Sequence, residues 1–161
     1  MKALLCKAFG EPEMLEFEEV ASRSPGPRDV RVRVRACGVN FPDILMIRGK
    51  YQIKPELPFA PGYEISGEVL ETGNEVTGLM PGDRVIALLS YGGMQEEIVV
   101  RADRCLPMPG SMDFETAAVF SLTYGTSYYA LVDRGRVQMG ETVLVLGAAG
   151  GVGSSAVDIA C

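Results

Sequence analysis

All ten prolines of this 161-residue chain lie at or before Pro109, and none follows. Proline fixes φ and lacks an N–H, so it is kept out of helix interiors and central strands. The first 110 residues must therefore break into short elements, and the remainder can hold longer ones. Within the broken part, Val30, Val32 and Val34 alternate with Arg31, Arg33 and Arg35. That period of two marks a strand with one buried face. The arginines read as the solvated side of that strand rather than as a basic binding patch. Further strands are expected at Ala3–Cys6, Leu15–Val20, Ile65–Glu71, Arg84–Leu89 and Glu96–Arg101. Pro25-Gly26-Pro27, Thr72-Gly73-Asn74, Pro81-Gly82-Asp83 and Gly92-Gly93 separate them as turns. Short strands at this spacing indicate a small barrel or sandwich.

After Pro109-Gly110 the texture changes. Ser111 or Asp113 can cap a short helix running through Val119, and Thr123–Asp133 can form a second. Thr142–Leu146 reads as a compact apolar strand, and Val152–Ala160 as a helix. A β body is thus followed by the opening of an α/β unit. Apolar residues make up 47% of the chain and charged ones 22%, which excludes intrinsic disorder. The length suits one domain, or one domain and part of another.

Charge and cysteine use narrow the function further. The net charge is −6 and the pI about 4.7, so sequence-independent binding to nucleic-acid phosphates is not expected. The cysteines stand alone at positions 6, 37, 105 and 161, with no histidine anywhere. No standard zinc-ligand spacing exists, and the thiols read as reduced core residues of a cytoplasmic protein. Thr116–Val132, the longest uncharged run, is too polar to span a membrane.

The stretch Val143 to Gly153 carries the clearest chemistry. It places an apolar strand, then Ala148-x-Gly150-x-x-Gly153, then a helix. In a dinucleotide-binding turn, glycines let the backbone approach a pyrophosphate, while N–H groups and the helix dipole attract the anion. Ala148 stands where the fingerprint usually has its first glycine. Ala148, Gly150, Gly151, Val152 and Gly153 are the expected cofactor contacts. The residue that would select NAD or NADP is expected about twenty positions further on, past Cys161.

The ordered motifs Ala36-Cys-Gly-Val-Asn-Phe-Pro-Asp43, Arg48-Gly-Lys-Tyr51, Pro61-Gly-Tyr-Glu64 and Pro81-Gly-Asp-Arg-Val85 precede that glycine turn. Together they resemble the quinone oxidoreductase (zeta-crystallin-like) branch of the medium-chain dehydrogenase/reductase superfamily. The resemblance covers essentially the whole chain. It implies a mainly β, GroES-like barrel over residues 1–121, the catalytic domain, and the first β-α unit of an incomplete Rossmann domain over residues 122–161. The superfamily's zinc-dependent members carry Cys and His where this chain has Asn40 and Tyr63, so no metal site is expected. Glu64, beside them, reads as a buried, hydrogen-bonded carboxylate rather than a ligand.

By the same resemblance Asn40 and Tyr51 line the nicotinamide and substrate cleft, and Thr126 supplies a cofactor-contacting hydroxyl. Asn40 would offer an amide donor, to the cofactor as well as the substrate. Tyr51 would offer a phenol that donates to an acceptor oxygen as charge develops there. Leu45 replaces a second tyrosine found in some relatives. The implied activity is hydride transfer from NADPH to a small quinone or enone, in a full-length homodimer with no membrane or nucleic-acid partner. The alternatives are an enoyl-thioester reductase and a non-catalytic binding protein that retains the fold. These 161 residues by themselves are expected to give a stable β body, a poorly anchored segment after about Gly140, and no NADPH turnover.

Overall fold

A computed structural model describes all 161 residues. They divide into two units, Met1–Val119 and Phe120–Cys161.

The first unit is built on β1 (Lys2–Leu5), β2 (Glu16–Glu19), β3 (Asp29–Gly38), β4 (Glu64–Thr72), β5 (Arg84–Leu88), β6 (Glu97–Arg101) and β7 (Cys105–Pro107). Five of these form an antiparallel sheet in the order β6-β3-β4-β5-β7, and β1 pairs with β2. Leu4 N–H donates to the Met94 carbonyl and Glu96 N–H to that of Lys2, which ties β1 to the segment entering β6. Two helices complete the unit: α1 (Phe41–Ile47) after β3, and α2 (Phe114–Ala117).

The alternation of β3 does what its period dictates. Val30 and Val32 are completely buried and join Ile65, Val69, Val85, Ala87, Ile98 and Val100 in the main core. On the opposite face Arg31 bridges Glu71 and Glu97 at 3.0 and 3.2 Å, while Arg33 and Arg35 are exposed. Gly67 of β4 lies where β3 bulges, between Val34 and Ala36. A Cβ there would sit 2.1 Å from the Arg33 carbonyl oxygen, so only glycine allows the two strands this approach.

The second unit contains α3 (Phe120–Tyr128), which runs on as a π-helical turn through Arg134, and α4 (Gly151–Ala160). The second helix therefore starts three residues before the expected Thr123 and changes its winding after Tyr128. Thr142–Leu146, expected as a strand, joins no ladder; Leu144 and Leu146 are each 84% exposed. A strand is made by its hydrogen-bonded neighbour, and no other segment of the chain supplies one. The remainder of the segment after Gly140 is better anchored than expected, because α4 packs on α3. Buried Ser127 and Ser155 hydrogen-bond each other at 2.8 Å. Ser127 Oγ also lies 2.8 Å from the Val152 carbonyl, and Tyr124 donates to Asp158 at 2.9 Å.

Candidate functional site

In the first unit the site residues converge on one dipeptide. Asn40 is the N-cap of α1, with extended backbone (φ −122°, ψ 160°) and Pro42 opening the helix behind it. Asn is favoured at an N-cap because its side-chain oxygen can accept a first-turn N–H, and Pro in the first turn because its missing N–H would have no intrahelical partner. Asp43 closes a capping box: its Oδ2 accepts the Asn40 N–H at 2.8 Å. Its other oxygen accepts the Gly62 N–H at 3.0 Å, across 19 residues. One buried carboxylate therefore pins the turn after β3 to the segment entering β4. Burial raises the Asp43 pKa, and the two backbone N–H groups offset part of that rise.

Beyond Gly62 come Tyr63 and Glu64. Glu64 has no exposed surface, and one of its oxygens accepts the Asn40 Nδ2–H at 3.1 Å. Tyr63 and Tyr51 are half-buried and both pack on Cys6, Met46, Ile47 and Phe59. Burial, followed by the neighbouring Tyr51 phenol, holds the Tyr63 hydroxyl above the usual phenol range. Asn40 and Tyr51, eleven positions apart, thus meet adjacent residues of a single segment. Gly62 has φ +107°, and a Cβ there would fall 2.7 Å from Met94 N and 2.8 Å from Cys37 Sγ, so glycine is required for the approach. The Cys37 thiol, beside Asp43 and Glu64, is pushed up to about 12, chiefly by burial. It is no nucleophile at neutral pH.

In the second unit the glycine turn is a formed device. Gly147 takes φ +71°, and its carbonyl oxygen accepts the Gly150 N–H at 3.0 Å. A Cβ on Gly153 would sit 2.1 Å from that same oxygen, so Gly153 exists to let α4 start directly beneath the turn. At Gly150 the nearest atom to a Cβ would be 3.5 Å away, an ordinary contact, and nothing crowds Gly147. The chain thus leaves open space above the α4 N-cap, where the first-turn N–H groups of Gly151, Val152 and Gly153 have no acceptor within the helix. Residues of this kind fit a pyrophosphate. Thr126 is exposed on α3, whereas Thr123, Tyr124 and Ser127 are the α3 residues that hold α4. Asn40 and Tyr51 belong to one unit, and Thr126, Ala148, Gly150, Gly151, Val152 and Gly153 to the other.

The sequence reading did not single out Asp43 and treated Tyr63 only as a departure from a zinc site. The pattern Asn40-x-Pro42-Asp43 before an apolar run is a legible helix start. Glu64, which opens the apolar strand, is the buried, hydrogen-bonded carboxylate expected of it. No group of three or more Cys, Asp or Glu side chains is clustered closely enough to hold a metal ion. No helix is long and apolar enough to cross a membrane.

Residues 26–110, more than half of the chain, match the family described as alcohol dehydrogenase GroES-like domain. The chain belongs to that family. Within it, the chain is 46% identical over 160 residues to a quinone oxidoreductase-like protein 2 homolog from Nematostella vectensis, covering 99% of this chain and 44% of the relative. A probable oxidoreductase from Mycobacterium abscessus superposes with a TM-score of 0.94 at 44% identity, over 99% of this chain and 52% of that one. The quinone oxidoreductase of Thermus thermophilus, solved alone and with NADPH, gives 0.86 at 37% identity, over 99% of this chain and 50% of that one. The chain thus spans about half the length of the relatives it matches. Its GroES-like domain and its likeness to quinone oxidoreductases make it part of an oxidoreductase superfamily.

Proposed function

We propose that this chain carries the catalytic domain and the opening of the cofactor domain of a zinc-independent, NADPH-dependent quinone or enone reductase. The observation that carries the reading is the glycine turn, where Gly153 must be bare for the protein's own packing while Gly150 is bare with room to spare. Space kept open above a helix N-terminus is what close approach of a pyrophosphate needs. The Thermus relative, solved in complex with NADPH, supports the choice of cofactor. Domain limits of 1–121 and 122–161 belong to the same proposal, as do a cytoplasmic location and a homodimer of the full-length protein.

Gly150, Gly151, Val152 and Gly153 would hold the pyrophosphate, with Ala148 in the turn and Thr126 on α3 beside the nicotinamide half. The bound nicotinamide supplies the hydride, which is the difficult part of the chemistry. The protein's own contribution is orientation and polarisation. Tyr51 donates a hydrogen bond to the acceptor oxygen, and Asn40 places an amide N–H on the same side. Donors fixed before reaction stabilise charge developing on oxygen without reorganisation. The Tyr63 hydroxyl, held protonated beside Tyr51, keeps that phenol oriented.

Titration of the full-length protein with NADPH, followed by quenching of nicotinamide fluorescence, tests the reading. Saturable binding that is lost in Gly150→Val supports it. Absence of binding by the folded protein would leave a GroES-like domain retained for another purpose.

A further inference from the structure

We infer that Glu64 is a positioning residue that acts through Asn40, setting which hydrogen of the Asn40 amide can reach a bound molecule. The inference rests on the function proposed above and deepens it. An asparagine side chain offers two N–H donors and one carbonyl acceptor, and rotation about its last bond can exchange them. A terminal amide of that kind is broad in its final torsion, so left alone it would present either end. Here three contacts remove the choice. Glu64 Oε1 accepts from Nδ2 at 3.1 Å, and only the amide nitrogen can donate there. The backbone on both sides of the amide is fixed by Asp43, which accepts the Asn40 N–H at 2.8 Å and the Gly62 N–H at 3.0 Å. The Glu64 side chain packs into the space that Gly38 leaves bare, where a Cβ would lie 3.0 Å from its Cγ and its Oε1.

The outcome is one N–H turned inward and one left over. With Nδ2 committed to Glu64, Asn40 is a single directed donor, suited to an oxygen that gains charge during reaction. A pair of this kind, buried at Glu64 and half-buried at Asn40, keeps its geometry while the acceptor changes its own. Replacing Glu64 frees the amide to turn. The site would then meet the acceptor oxygen part of the time with the Asn40 carbonyl, which repels it.

A double-mutant cycle in the full-length enzyme tests this, with NADPH and a soluble benzoquinone as substrates. Glu64→Leu removes the acceptor and Glu64→Gln keeps one. Glu64→Leu is expected to lower kcat about as far as Asn40→Ala does, with KM for NADPH little changed. In the Asn40→Ala background it should cost no more than about twofold further, the scatter found for sites that do not interact. Glu64→Gln should retain most of kcat. If the losses multiply in the double variant, or if Glu64→Leu leaves kcat intact while Asn40→Ala lowers it, the positioning role is overturned. Should Glu64→Leu not fold, the same comparison is made with Glu64→Ala, whose loss must vanish in the Asn40→Ala background.

A second readout needs no activity. In nitrogen-edited NMR spectra of the full-length protein, the two Asn40 amide protons, assigned by their disappearance in Asn40→Ala, should be widely split, one shifted downfield. Glu64→Leu, or Glu64→Ala if Leu does not fold, should narrow the splitting. An unsplit pair in the wild-type protein overturns the inference. A split pair together with wild-type kcat in Asn40→Ala would retain the geometry and overturn the catalytic reading beneath it.

Discussion

Gly150 and Gly153 sit three residues apart in the same turn and are glycine for different reasons. A methyl on Gly153 would press against the Gly147 carbonyl at 2.1 Å and the Ala148 Cα at 2.8 Å. Gly153→Ala should therefore destabilise the second unit by about 1–3 kcal/mol, the usual cost of overpacking. A Cβ at Gly150 meets only an ordinary contact in the protein, and Gly150→Val should leave the denaturation midpoint nearly unchanged. Its cost should appear in binding, as a dissociation constant for NADPH at least about tenfold higher, or roughly 1.4 kcal/mol. Denaturant titrations beside cofactor titrations on the two variants check both halves. Equal stability loss in both would make the turn purely structural. For the polar pair the expected effects are kinetic. Removing a preorganised donor can cost on the order of a hundredfold in turnover, which is the expectation for Asn40→Ala at saturating NADPH. For Tyr51→Phe about tenfold is expected, because quinones are already electron-poor and need less of the polarisation that such donors supply. Wild-type turnover in both variants would remove these residues from the mechanism.

The elements were legible where a local pattern settles them. Alternating Val and Arg in β3 leaves one choice of face, and Val30 and Val32 take the buried side. Asp113 caps α2 by accepting the Thr116 N–H at 2.6 Å, one of the two caps open in the sequence. Beside the three-residue β7, two readings failed for opposite reasons. Helix α1 is only seven residues long, too short for a period to show, and its start is written in caps rather than in hydrophobicity. Thr142–Leu146 has a strand's composition, but a ladder partner is a tertiary fact that no local pattern contains. The site followed the same division: glycine and asparagine positions and the burial of Glu64 could be read, while the partners that Asp43 and Glu64 reach over 19 and 24 residues could not. Asp43 carries a prediction of its own. Its folded-state pKa lies above the usual 3.8. Its contribution to stability is therefore fully present below that value and is lost as pH rises through the folded pKa. Denaturation midpoints of the wild type and of Asp43→Asn, measured across the acid range, should differ in slope in that sense. Parallel slopes would mean that the two N–H bonds fully offset the burial.

At the scale of the whole chain, a unit of open antiparallel sheets is followed in sequence by a helical pair. In Met1–Val119 the buried faces of the strands supply a main core with smaller clusters beside it. In Phe120–Cys161 a run of apolar residues, Val137, Met139, Leu144 and Leu146, remains exposed. The measurement that bears most directly on the function is NADPH oxidation by the full-length protein with a soluble quinone, run with and without a zinc chelator. A metal-independent reductase built on Asn40, Tyr51 and the Gly150 turn should consume NADPH only when quinone is present, at the same rate in both conditions. Turnover abolished by the chelator and restored by zinc, or a folded protein that binds NADPH without oxidising it against any quinone or enone, would contradict that assignment.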